Sequence, residues 1–196
     1  LTAWRGLYGT PPSPAARLDA VTSLAEGADM MFAREAVALG YRLVCPLPFA
    51  LAEYEKDFTP PSGQAAEALE SFRQILSEAA ALGGLELIAL DGRRSAEGAA
   101  YAAAGRAVVE RADLILAIWD GEPAAGPGGT AETVTTALAA RRPVLRLDPW
   151  APSDWVWLGQ DAVEIARAAA DQPEAVAELM RRAMGMGIAM GMGDGA

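Results

Sequence analysis

The chain has 196 residues, a formal charge of −10, a sequence pI of about 4.5 and a 52% hydrophobic composition. With no histidine and one cysteine, Cys45, it excludes Ser-His-Asp and Cys-His catalysis, a histidine metal cluster and an internal disulfide. The acidity excludes the broad basic surface that a nucleic-acid duplex needs, and no apolar run is long enough to insert into a membrane.

This length suits one α/β domain. Neither a metal nor a resident cofactor is expected, and a lone cysteine fits a cytoplasmic setting. The opening Leu1, with no basic cleavable leader, reads as the start of a piece of a longer product.

Residues 1–16, with three prolines, Trp4 and Tyr8, show no period and read as an irregular segment. The predicted domain spans 17–183. Leu18 to Ser23 is a strand candidate that ends in the loop Leu24-Ala25-Glu26-Gly27. Met30, Ala33, Ala36 and Val37 then recur at helical spacing, with Gly40 as the stop. Leu43 to Phe49 returns as a strand, which Pro46 and Pro48 should end early. Cys45 within it reads as a small core residue.

A polar stretch with Tyr54, Lys56 and Asp57 leads to a turn at Pro60-Pro61-Ser62-Gly63. An amphipathic helix is predicted from about Gln64 to Leu82, with Leu69, Phe72, Leu76 and Ala79 on one face and Gly83-Gly84 closing it. Leu85 to Leu90 is a strand, Ala99 to Ala112 a helix, and Leu114 to Trp119 a strand. Thr130 to Ala140 is a helix and Pro143 to Leu147 a fifth strand. Asp161 to Ala170 and Pro173 to Met184 form a helical pair, with Pro173 suited to a first turn. A Met/Gly-rich tail, 184–196, is expected to be flexible. Trp150 to Leu158, with its three tryptophans, reads either as a cap over a binding crevice or, better, as packing of the final helices over a sheet edge. Strands alternating with helices predict a mainly parallel sheet of at least five strands covered on both faces, a Rossmann-like three-layer sandwich.

In such a sheet, ligands bind beyond the carboxyl ends of the strands. Three loops fall there: Ser23 to Asp29, Asp91 to Ser95, and Asp120 to Thr130. In the first, Gly27 permits a tight turn, Ser23 and Glu26 flank it, and Asp29 either caps the helix or holds a ribose hydroxyl. In the last, the buried strand Asp113-Leu-Ile-Leu-Ala-Ile-Trp-Asp120 runs into Gly126, Gly128, Gly129 and Thr130 at a helix start. Backbone N–H groups there can cradle a phosphate. Asp120 and Glu132 are the candidate carboxylates for base or nucleophile work, or for holding sugar hydroxyls. A Glu in a first helical turn also favours the helix dipole wherever it occurs. Tyr101 and Arg106, on the helix before the key strand, are candidate ligand contacts. So are Arg93 and Arg94 in the loop before it; each arginine reads equally as an ordinary surface residue.

Ser23-Leu-Ala-Glu-Gly-Ala-Asp29, Cys45-Pro-Leu-Pro-Phe49 with Glu53-Tyr54 and Asp57-Phe58, and Trp119-Asp-Gly121 with Gly126-Pro-Gly-Gly-Thr-Ala-Glu132 together resemble the SLOG superfamily. That group joins the Rossmann-like domains of DNA-processing protein A to the Lonely Guy proteins, once labelled lysine decarboxylases. The resemblance covers about Leu18 to Leu147. It implies a nucleotide-binding domain, in some members a sensor in bacterial signalling or defence and in others a hydrolase of nucleoside monophosphates. It implies a ligand cradle from Ser23 to Gly27 and from Gly128 to Thr130. A homodimer, and a fused or operon-encoded effector, are the expected partners.

Two features depart from the family. Its enzymes carry PGGxGTxxE, and aligning Gly129-Thr130 with that GT puts Thr133 where the Glu belongs. Glu132 falls one position early, about 100° around the helix. The family also opens with a strand and a glycine loop unlike Leu1 to Ala16, so the predicted sheet lacks an N-terminal strand. The first expectation is therefore a nucleotide-sensing domain. The second is an N-glycosidic-bond hydrolase or deoxyribosyltransferase, and the third an oligomeric scaffold with a vestigial site.

Overall fold

The computed structural model describes residues 18–58, 65–123, 128–151 and 155–159. The predicted irregular start, the helices over 161–170 and 173–184, the Met/Gly tail and Gly126 lie outside them.

The first half of the described fold is a parallel sheet of β1 (Asp19–Val21), β2 (Arg42–Leu47) and β3 (Leu85–Ala89), with β2 in the middle. Leu43, Cys45 and Leu47 pack in one core with residues of α1 (Ala28–Ala38) and α3 (Ala65–Ala81), among them Ala33, Val37, Phe72 and Ile75. Val44 and Pro46, which alternate with them, are buried too, and α4 (Glu97–Arg111) packs against β2. A strand covered on both faces reads as a continuous apolar run rather than an alternation.

Pro46 does not end β2, contrary to expectation: it stays in register with Ile88. Leu43 and Leu47 bond towards β3, whereas Val44 accepts the Thr22 N–H from the β1 side. Pro46, two residues on from Val44, turns its missing N–H to that same side, past the last residue of β1. No ladder bond is lost.

Gly40 stops α1 as predicted. The Gly40 and Tyr41 N–H groups bond back to Val37 and Ala36, and Gly40 takes φ +78°, the Schellman arrangement. Gly83 and Gly84 close α3 in the same way. The polar stretch after β2 is more ordered than expected. It folds as α2 (Leu51–Tyr54) and a 3-10 turn, Glu55–Phe58, which bury Tyr54 and Phe58 against Phe72.

The second half holds β4 (Ile115–Ile118), β5 (Val144–Leu147) and β6 (Trp155–Leu158), with α5 (Thr130–Ala139) between β4 and β5. β4 and β5 are parallel, and β6 is antiparallel to β5. Ile115, Ala117 and Val144 form a small core with Val109 of α4 and Val134 and Ala137 of α5. On the other face, Leu116 and Ile118 are exposed. β6 is a strand that the sequence reading missed. Part of the tryptophan-rich segment thus covers the edge of β5 as a strand.

All five predicted strands form, and the class is α/β, but the expected single sheet of at least five strands is not what the described residues show. They form two three-stranded sheets, and the outer edges of β1 and β4 have no strand neighbour among them. No helix of the described residues is long and apolar enough to cross a membrane.

Candidate functional site

The loop from β1 into α1 is built by an inward hydroxyl. Thr22, 4% exposed, donates to Asp29 Oδ2 at 2.7 Å and accepts the Leu24 N–H at 3.1 Å. Asp29 Oδ2 also accepts the Ala25 N–H at 3.4 Å. Leu24 is fully buried with φ +58°, so the chain accepts a left-handed residue to drive that side chain into the core. Asp29 is therefore not the N-cap of α1, which is Gly27; its Oδ2 ties the loop to itself. Ser23 is half-buried, whereas Glu26 and Gly27 stand exposed at the turn. Gly27 is the N-cap of α1 with φ +95°, and no side chain caps that helix.

A second cluster, at the carboxyl ends of β2 and β3, was only partly legible. Gly92 leaves β3 so close to β2 that a Cβ there would lie 2.2 Å from the Pro48 carbonyl. That approach delivers Arg94 onto the face of Phe49, 4.1 Å from its ring centre. Its Nε donates to Glu53 Oε1 at 2.9 Å, and Nη1 faces Asp57, Glu97 at 3.1 Å and the Tyr101 hydroxyl at 3.4 Å. Nη2 donates to the Glu53 carbonyl. Burial works against the charged guanidinium, but the hydrogen bonds to Asp57, Glu53 and Glu97 more than offset it and hold Arg94 protonated. Lys56 first, then Arg94, keeps the Glu53 carboxyl below its ordinary range. Arg93 is exposed.

Tyr101 joins this cluster to the last loop. Its hydroxyl donates to Asp57 at 2.7 Å, and its ring meets Phe49 edge-on at 5.7 Å. Its Cβ sits where Gly128 must be bare, since a Cβ on Gly128 would come within 2.5 Å of it. Burial, then the bond to Asp57, pushes the Tyr101 phenol up to about 12. Burial also raises Tyr54, helped by the charges of Asp29 and Asp57. Burial, with Asp29 adding to it, pushes the Cys45 thiol up to about 12.

In the last loop, Gly128 takes φ +84° and donates its N–H to Glu132 Oε2 at 2.7 Å. The N-cap of α5 is Gly129, again without a side-chain cap. Thr130 is the first helical residue, as expected of a helix start, and is exposed. Thr133 hydrogen-bonds back to the Gly129 carbonyl at 3.4 Å.

Asp120 closes a small turn of its own, accepting the Glu122 N–H at 3.0 Å. Arg146 holds that strand end, donating to the Trp119 carbonyl at 2.9 Å and the Asp120 carbonyl at 2.8 Å. Arg106 is exposed and pairs with no carboxylate among the described residues. With Gly128, Glu132 and Thr133 it lines a shallow surface crevice that encloses no room for a ligand.

The structure thus brings Tyr101 and Gly128 together at one cluster, while Asp29 bonds within its own loop and Asp120 within another. Sequence reasoning missed the weight of Glu53, Tyr54, Asp57 and Arg94. The four-residue spacing of Tyr54 and Phe58 was the available signal. Among the described residues, no three metal-ligating side chains converge. Comparison of the chain with protein-family models, with curated proteins and with solved structures returns no match.

Proposed function

We propose that the chain binds a nucleotide or nucleotide-derived ligand at the carboxyl ends of its parallel strands and works as a sensor domain in a bacterial signalling or defence system. The observation that carries this reading is a pair of helix starts. α1 and α5 follow β1 and β4, each begins at a glycine, and neither has a side-chain cap. Uncapped first-turn N–H groups with the positive end of the helix dipole favour a phosphate. Gly128 and Gly27 add left-handed backbone that lets a ligand approach closely.

Sensing is favoured over hydrolysis by what the two candidate carboxylates do. Glu132 accepts the Gly128 N–H and Asp120 accepts the Glu122 N–H. Each serves its own loop, and a base or nucleophile must instead reach the reacting atoms. The finer architecture belongs to the same proposal: one Rossmann-like, mainly parallel sheet of at least five strands. So do a homodimer, a cytoplasmic setting and a fused or operon-encoded effector.

The test incubates the protein with nucleoside mono- and diphosphates, NAD and cyclic dinucleotides, following binding by calorimetry and free base by chromatography. Binding without base release is expected, weakened by Gly128→Ala because its Cβ would displace the loop from Tyr101. Base release abolished by Glu132→Gln overturns the sensor in favour of the hydrolase or transferase. Binding by no member of the panel leaves the scaffold as the better reading.

A further inference from the structure

One face of the second sheet has its helix. α5 lies against β4 and β5, and its Val134 and Ala137 share the small core with Ile115, Ala117 and Val144. The ladder register defines the opposite face. Leu116 stands opposite Leu145, and Leu145 opposite Trp157; two residues along, Ile118, Leu147 and Trp155 form a second row. Residues paired across strands share a face, so six large apolar side chains lie together there.

None of the six belongs to either core, yet they are not equally wet. Leu116 and Ile118 are 36% and 41% exposed, whereas Leu145 and Trp157 are 8% and 5% exposed. The Trp157 indole N–H is buried with no hydrogen-bond partner among the described residues. A buried donor left unpaired is costly, so the cover this face needs must be apolar and must bring an acceptor.

The chain carries a segment of that chemistry directly after β6. Gly159, at φ +135°, turns the backbone out of the strand. Residues 161–184, outside the described residues, hold two apolar stripes at helical spacing: Ile165, Ala166 and Ala169, then Val176, Leu179 and Met180. Glu164 and Arg167 fall opposite the first stripe, Glu174 and Glu178 opposite the second. A ten-residue helix is about 15 Å long and a four-residue strand about 13 Å, so one stripe matches the length of the face. Only Gly159 and Gln160 separate the segment from β6. Such a short tether gives an effective concentration of roughly millimolar, an advantage that a second copy lacks.

We infer that residues 161–184 dock as a helical pair on the Leu116–Leu145–Trp157 face of the second sheet, rather than over its edge, and supply the acceptor for the Trp157 indole. The second sheet then gains the two-sided cover that β2 already has. This surface runs along the strands, and the inference stands whether or not a nucleotide binds at their ends.

Hydrogen exchange of the full chain, read on peptic peptides by mass spectrometry, tests it. Peptides from 161–184 should exchange far more slowly than an unstructured chain. Leu116→Lys, at a part-exposed site, should speed their exchange about tenfold or more while peptides of α1 and α3 keep theirs. Ile165→Asp with Met180→Asp should free the same peptides and also speed exchange in β6. Leu82→Lys, at an exposed apolar residue beyond α3, should change neither. Fast exchange of 161–184 in the unaltered chain would overturn the inference. So would protection that survives Leu116→Lys, which puts the segment elsewhere, or protection that fades on dilution, which makes a second copy the cover. Should Leu116→Lys unfold the whole chain, the paired segment variant decides, and unchanged exchange in β6 there overturns the inference as well.

Discussion

The two halves of the described fold use an arginine at the same place for opposite ends. Arg94, at the carboxyl end of the first sheet, spends its donors mainly on carboxylates and a phenol that come from four separate positions along the chain. Arg146, at the carboxyl end of the second, spends them mainly on backbone carbonyls of the neighbouring strand end. The first arrangement ties α2, its following turn and α4 over a core thick with Phe49, Tyr54, Phe58 and Phe72. The second only fixes where a loop leaves. A guanidinium aimed at side chains assembles distant elements, and one aimed at the backbone shapes a single turn.

The sharpest way to break that comparison is in the cores. Phe72→Ala, at a fully buried site in the aromatic cluster, should cost about 3–5 kcal/mol, and Val134→Ala in the small second core about 1–3 kcal/mol. Urea unfolding of both variants checks this, and similar losses would mean that the halves share one core. Arg94→Ala should cost about 2 kcal/mol, since Glu53 and Asp57 lose a partly buried partner, whereas Arg146→Ala should cost about 1 kcal/mol. Thermal melts decide between them, and Arg94→Lys should recover only part of the loss because the fork geometry is gone.

The same cluster sets a pH signature. A phenol raised on folding stabilises the protein fully below its unfolded value near 10 and loses that contribution as the pH climbs through the folded value. For Tyr101 the folded value is about 12, so stability should fall between about pH 10 and 12. Tyr101→Phe should flatten that fall in alkaline melts. Glu53 runs the other way. Its carboxyl is depressed, first by Lys56 and then by Arg94, so its contribution is present above the ordinary carboxylate range and is lost as the pH drops through the folded value. The smallest effect expected lies at a helix stop. α1 and α3 end on glycines, but the same arrangement after α5 falls on Arg141 at φ +56°. Arg141→Gly should add about 0.5–1 kcal/mol by relieving a left-handed non-glycine residue.

Much of this was readable in advance, for local reasons. The helical spacing of Met30, Ala33 and Val37 with Gly40 as stop, and the apolar runs of β2 and β4, are statements about neighbours in sequence. Which strand lies beside which is not, so alternation of strands and helices could not foretell two sheets. β6 went unread because Trp-Val-Trp-Leu follows a proline-containing segment and pairs antiparallel, outside the βαβ pattern. The Arg94 cluster was hidden by distance, since its bond to Glu53 spans 41 residues. The tie of Asp29 to Thr22 was not legible because Thr22 is seven residues back and points inward. Glu132 and Thr130 were placed correctly at the helix start, but which of them served the backbone depended on the φ angle of Gly128.

The position of Cys45 has a practical corollary. It lies mid-strand in β2, with no surface exposed and its thiol held in the unreactive protonated form. A thiol reagent can reach it only when the helices over the first sheet come away. The rate at which the native protein takes up such a label is therefore a built-in clock for the opening of that half. It reads out without any engineered probe, and it stays silent while the second half alone is breathing.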